Sequence, residues 1–171
     1  MNAQRAHVSP RPELVPLPTA AEVSELFEML LGRTIRPSRT SPGNYRPTDH
    51  FWCAVYLNGE QKIAGALVFD AQLAMRSAAA LSLLPAAQTT KLLEKGELDE
   101  ALSENLSEIC NVATQFFQGP YSSNVRVARI FEVPRHAPPQ LFQMMRAARS
   151  RQDLRLEIKG YGQGRAAVLM L

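Results

Sequence analysis

Long apolar runs are missing from this chain of 171 residues. Apolar runs such as Ala78 to Leu81 and Ala166 to Leu171 fall far short of the roughly 20 residues that span a bilayer, so no membrane helix is expected. The first residues do not read as a secretory leader either. Met1 to Pro18 has basic residues but no continuous apolar core, and Pro10, Pro12, Pro16 and Pro18 interrupt it. Such a segment reads as a Pro-rich tail, and the expected location is cytoplasmic. Residues 19–171 then form one domain, long enough to bury a core. Cysteine is scarce: Cys53 and Cys110 share no CxxC or zinc-type spacing, which leaves redox and metal chemistry without a motif. His7, His50 and His136 show no ligand spacing either. Glycine clusters only at Gly160, Gly162 and Gly164. That stretch lacks the GxGxxG and Walker patterns and does not lead into a helix, so it reads as a hairpin loop and not a phosphate cradle.

Arginine is plentiful. The net charge is +3, and two groups stand out, Arg33, Arg36, Arg39 and Arg46, then Arg146, Arg149, Arg151 and Arg155. A nucleic-acid groove would interleave aromatic stacking residues with such charges, and neither group does. A surface for an acidic protein partner fits the same charges.

Along the chain, Thr19 is placed to cap a helix starting near Ala20, whose apolar stripe runs through Val23, Leu26, Phe27, Leu30 and Leu31 to Gly32. A short strand near Ile35 precedes the loop Ser41 to Asn44. Phe51 to Leu57 and Lys62 to Phe69 read as two strands joined by a type I′ turn at Asn58-Gly59. Helices follow over Ala71 to Leu84, with Asp70 as N-cap, over Ala86 to Lys95, and over Glu97 to Gln118, which Gly119-Pro120 ends. Asn124 to Val133 is a strand, Gln140 to Arg149 a helix, and Leu154 to Ile158 and Ala166 to Leu171 are strands. Helices inserted between hairpins predict an α+β fold, with long helices packed on one mainly antiparallel sheet.

The long helix divides cleanly into faces. At about 100° per residue, Leu102, Leu106, Ile109, Ala113 and Phe116 or Phe117 gather on one side. Glu104, Glu108, Asn111 and Gln115 gather within roughly 60° of one another on the other side. The spacing therefore predicts a buried stripe and an exposed ridge of two carboxylates and two amides. Geometry alone gives that ridge no chemistry beyond a solvated face.

The segment Leu102 to Asn111 resembles the signature of the CheC/CheX family of response-regulator phosphatases. In that family an Asp or Ser is followed after three residues by Glu, after two more by Asn, and after 22 more by Pro. Here Glu108 and Asn111 supply the ExxN core and Pro134 stands at the required interval, while Glu104 takes the first position. Some members carry a second ExxN on the first long helix. This chain has Glu25 and Glu28 there, so the single-site, CheX-like form is the better match.

The resemblance implies hydrolysis of the aspartyl phosphate of a CheY-like receiver. Glu108 would pair with the receiver's active-site lysine and Asn111 would orient the attacking water. Glu104, Gln115 and Pro134 would lie at the partner interface. No cofactor or metal is expected on this chain, because the divalent metal belongs to the phosphorylated receiver. CheX-type relatives are dimers, and the edge strands here could pair. No nucleic acid or membrane partner is expected. The alternative is a non-catalytic, receiver-binding or self-associating signalling module of the same fold.

Overall fold

The computed structural model describes residues 15–119 and 124–171. Residues 1–14 of the Pro-rich segment, with His7, and Pro120 of the expected helix stop lie outside the described residues. Residues 15–18, read from sequence as the end of the tail, lie against the body of the protein. Val15 and Leu17 pack on the core and Pro18 is buried.

Helix α1 (Ala20–Leu31) opens with a reciprocal capping box. The Thr19 hydroxyl accepts the Glu22 N–H at 3.2 Å, and the Glu22 carboxylate accepts the Thr19 N–H at 2.7 Å. Gly32 closes it at φ 59°, its N–H bonded to the Glu28 carbonyl. Strand β1 (Ile35–Arg39) leads into the loop before β2 (Phe51–Leu57) and β3 (Ile63–Asp70). These two pair antiparallel as expected, but the turn between them is wider than a two-residue I′ turn. The Asn58 side chain accepts the N–H groups of both Glu60 and Lys62, and the positive φ falls on Gln61, not Gly59. An Asn side chain that mimics backbone in this way stabilises a longer loop.

Asp70 caps α2 (Ala71–Leu81) by accepting the Leu73 N–H at 2.7 Å. This helix stops three residues before the expected end, and Leu83 takes a positive φ in the connection to α3 (Ala86–Lys95). Helix α4 (Glu100–Val112) begins at its N-cap Asp99, later than Glu97, because the Asp99 carboxylate accepts the Leu102 N–H. It tightens into a 3₁₀ turn over Ala113–Phe117. Strand β4 (Arg126–Val133), helix α5 (Pro139–Arg146) and the hairpin of β5 (Ser150–Ile158) and β6 (Gly162–Met170) complete the chain. Gly162 and Gly164 belong to β6, so the glycine-rich loop is shorter than expected and only Lys159, Gly160 and Tyr161 turn the corner.

The six strands form one antiparallel sheet in the order β1-β5-β6-β3-β2-β4. Helices α1, α2 and α4 cover one face, over Trp52, Tyr56, Leu67, Phe69, Leu154 and Val168. On the other face α5 covers Phe51, Cys53, Val55, Val68 and Leu169. Burial on both faces explains why β2 and β3 read as continuous apolar runs and not as alternating ones. Helix α2 packs tightest. A side chain at Gly164 would meet the Leu73 backbone, so the absence of a Cβ is what lets α2 approach β6.

Candidate functional site

Glu104, Glu108 and Asn111 stand exposed on α4, while Leu102, Leu106, Ile109 and Cys110 on its other side are buried. Among the described residues, neither the Glu108 carboxylate nor the Asn111 amide has a hydrogen-bond or ion-pair partner within the chain. Helical periodicity places these three residues together as expected.

Gln115 lies outside α4, in the 3₁₀ turn. The tighter pitch, about 120° per residue against 100°, turns it by only about 40° from its α-helical direction. It is exposed and lines a groove of about 620 Å³ with Pro16, Leu17, Glu25 and Met29. Pro134 follows directly on β4 and is exposed, and its bond to Val133 is cis. No hydrogen bond among the described residues joins it to Glu108 or Asn111.

Under the ridge, the end of α4 is fixed from the sheet. The Tyr56 hydroxyl donates to the Cys110 carbonyl at 2.9 Å, within the buried core. Its ring stacks on Phe117 of the 3₁₀ turn at 4.2 Å between centroids. A carbonyl near a helix end has no N–H four residues ahead to accept, and the phenol supplies one donor. On the neighbouring side, Asn105 donates to the Ala78 carbonyl at 3.0 Å and to the Ser82 hydroxyl, locking α4 to the end of α2.

Beside the ridge, Ser103, Leu106 and Ser107 face Trp52, Arg129, Ile130, Glu132 and His136 across a cleft of about 370 Å³. Glu132 of this cleft belongs to a chain of polar contacts that sequence reasoning missed. His50 Nε2 lies 3.4 Å from Glu132 Oε1, Arg135 Nη1 lies 3.6 Å from the same oxygen, and Arg135 also pairs with Glu97. The hydrogen bond from Arg135 holds the Glu97 carboxyl below its ordinary range. These residues come from three separate stretches of the sequence, so no local signal marks them. His50, read as a bystander, stacks against Trp52 at 4.6 Å as part of this network.

The two thiols are buried. Desolvation pushes Cys53 up to about 12 and raises Cys110 as well, which removes both from thiolate chemistry at neutral pH. Among the described residues no three His, Cys, Asp or Glu side chains converge as a metal-binding group, and no helix is long and apolar enough to cross a membrane.

No family model matches the sequence, and no curated protein does. Solved structures do. A chain of the FliM-SpeE complex from H. pylori matches with a TM-score of 0.57 at 11% identity, over 88% of this chain and 80% of that one. FliY of Thermotoga maritima matches with a TM-score of 0.48 at 16% identity, over 86% and 81%. A chain of the CheX-CheY-BeF3-Mg+2 complex from Borrelia burgdorferi gives 0.48 at 9%, over 86% and 91%. At such identities the likeness concerns the fold alone, and the first of the three carries it. The α+β architecture expected from the CheC/CheX resemblance is thus the one this chain adopts, and it is shared with the chain of the FliM-SpeE complex.

Proposed function

We propose that this protein is a CheX-like phosphatase that accelerates hydrolysis of the aspartyl phosphate on a CheY-like receiver. The observation that supports this reading best is the pairing of an exposed, unpartnered carboxylate and an exposed, unpartnered amide one turn apart on α4. Among the described residues, neither has an internal bond to break before it engages a partner.

In this reading Glu108 meets the receiver's active-site lysine as a charge-assisted hydrogen bond and sets the docking register. The Asn111 amide oxygen accepts a hydrogen bond from water and holds it in line with the phosphorus–oxygen bond to the aspartyl group. Water adds to phosphorus as that bond breaks, giving inorganic phosphate and the receiver's free aspartate. A neutral amide performs this positioning without repelling the phosphoryl oxygens. The rate gain comes from orientation and electrostatics, and this chain forms no covalent intermediate. The divalent metal sits on the receiver.

The test is phosphate release from phosphorylated receivers of the same genome, with and without the purified protein. Acceleration is expected, with Asn111→Ala losing about 100-fold and Glu108→Ala weakening mainly the concentration dependence. A wild-type protein inert toward every such receiver sinks the proposal.

A second reading rests on Glu104. Its added negative charge stands one turn from Glu108 and would repel an approaching phosphoryl group. The domain would then bind a receiver, or itself, without catalysis. Receiver binding that survives Asn111→Ala, with no acceleration by the wild type, would favour it.

A further inference from the structure

One member of each arginine group, Arg36 and Arg155, lies on one sheet face together with Arg165. Strand β1 pairs with β5, and β5 with β6, so that Ser38, Arg155 and Arg165 form one cross-strand row and Arg36, Glu157 and Gln163 the next. Helix α5 covers the other half of this face and stops short of these rows. Arg36, Arg155, Glu157 and Gln163 are exposed. With Lys159, which shares a shallow cleft with Arg36 and Glu157, the face carries Arg36, Arg155, Lys159 and Arg165 against the single carboxylate of Glu157.

The arrangement costs the free protein something. Arg155 and Arg165 stand directly opposite each other, a like-charge pairing that opposes sheet formation. Among the described residues none of the four cations makes an ion pair. Arg165 donates to the Ser41 carbonyl at 2.6 Å. By contrast Arg151, at the covered end of β5, is fully engaged by Asp153. Within β5, then, the paired cation lies at the covered end and the unpaired one, Arg155, in the uncovered rows.

We propose that this face, on β1, β5 and β6, docks an acidic segment of a protein partner. Guanidinium groups in a row present forked donors that match carboxylates two by two. Glu157 lies among the cations, which suits a protein surface with at least one basic residue and disfavours a uniformly anionic phosphate backbone. The two rows offer no aromatic side chain on which bases could stack. Strand addition at the outer edge is also disfavoured, because Pro37 in the middle of β1 has no N–H to give. Recognition thus falls to the side chains of the face.

The experiment is fluorescence anisotropy with a fluorescein-labelled peptide of alternating glutamate and glycine, at low salt, where exposed charges act over a longer range. Saturable binding by the full chain is expected, weakened at least about tenfold by Arg36→Glu/Arg155→Glu. Arg126→Glu/Arg129→Glu, an identical charge change on the opposite edge strand, should weaken it less than about twofold. Equal loss in both double variants overturns the proposal, since it would report net charge and not a site. So does an absence of wild-type binding, or displacement of the peptide by an oligothymidylate at lower concentration than unlabelled peptide requires. Arg36→Gln/Arg155→Gln, checked for an unchanged melting temperature, serves if the glutamate variant does not fold.

Discussion

The Tyr56 hydroxyl reaches from the middle of the sheet to the Cys110 carbonyl, one residue before Asn111. Removing it by Tyr56→Phe keeps the ring and its stacking on Phe117 but leaves a buried carbonyl without this donor. The expected cost is about 1–3 kcal/mol of unfolding free energy, read by urea denaturation. The burial of the phenol pushes its ionisation well above the ordinary range, which keeps the hydroxyl a donor at neutral pH.

Within the ridge, the roles divide by position. On the proposed reading, Gln115→Ala should leave receiver dephosphorylation within about twofold of wild type, because Gln115 belongs to the 3₁₀ turn and lines the groove beside Pro16 and Met29. Glu104→Ser, which installs a residue type found at that position in the CheC/CheX signature, should raise the rate. A Gln115→Ala loss as large as that of Asn111→Ala would show that the site extends beyond the α-helix.

Asp153 is the buried anchor of the loop between β1 and β2. Its carboxylate takes a forked pair of bonds from Arg151 at 2.6 and 2.7 Å and accepts the Gly43 N–H at 2.8 Å. Asp153→Ala strands the guanidinium and frees the loop, with an expected cost of about 2–4 kcal/mol, since Arg151 retains some access to water. Thermal unfolding and proteolysis within residues 40–50 would register it.

Glu22 gives a pH signature. Its bonds to the Thr19 N–H and hydroxyl hold the carboxyl below its ordinary value of 4.5. A carboxylate depressed in the folded state contributes stability above its unfolded pKa and loses it as pH falls through the folded one. Melting temperature should therefore decline below about pH 4.5, and Glu22→Gln should flatten that decline while lowering the plateau above it. An unchanged slope would rule out the capping box as its source.

Local signals marked most of this architecture. Thr19, Gly32, Asp70 and Gly96 each punctuate a helix where the structure ends or begins one. The stripe from Leu102 to Ile109 located the ridge on α4 because periodicity survives any tertiary context. The misses have two causes, one local and one long-range. Asn58 reshaped its turn through side-chain bonds that dipeptide statistics ignore. The α-helix gave way to a 3₁₀ turn where Phe117 is drawn onto Tyr56, residues 61 positions apart in the chain. The His50–Glu132–Arg135–Glu97 chain likewise depends on strand pairing. These last two are long-range contacts, and no short window of sequence contains both partners.

The end of α4 at Val112 gives the ridge a definite end. Asn111 is the last polar side chain of α4, and the next amide, Gln115, belongs to the 3₁₀ turn. On the proposed reading, a receiver that advances over this tip of the helix would meet Asn111 first, with Glu108 behind it. The order of the two residues along α4 becomes a polarity of docking, and a partner seated the other way round would place the carboxylate, not the amide, against the phosphoryl group.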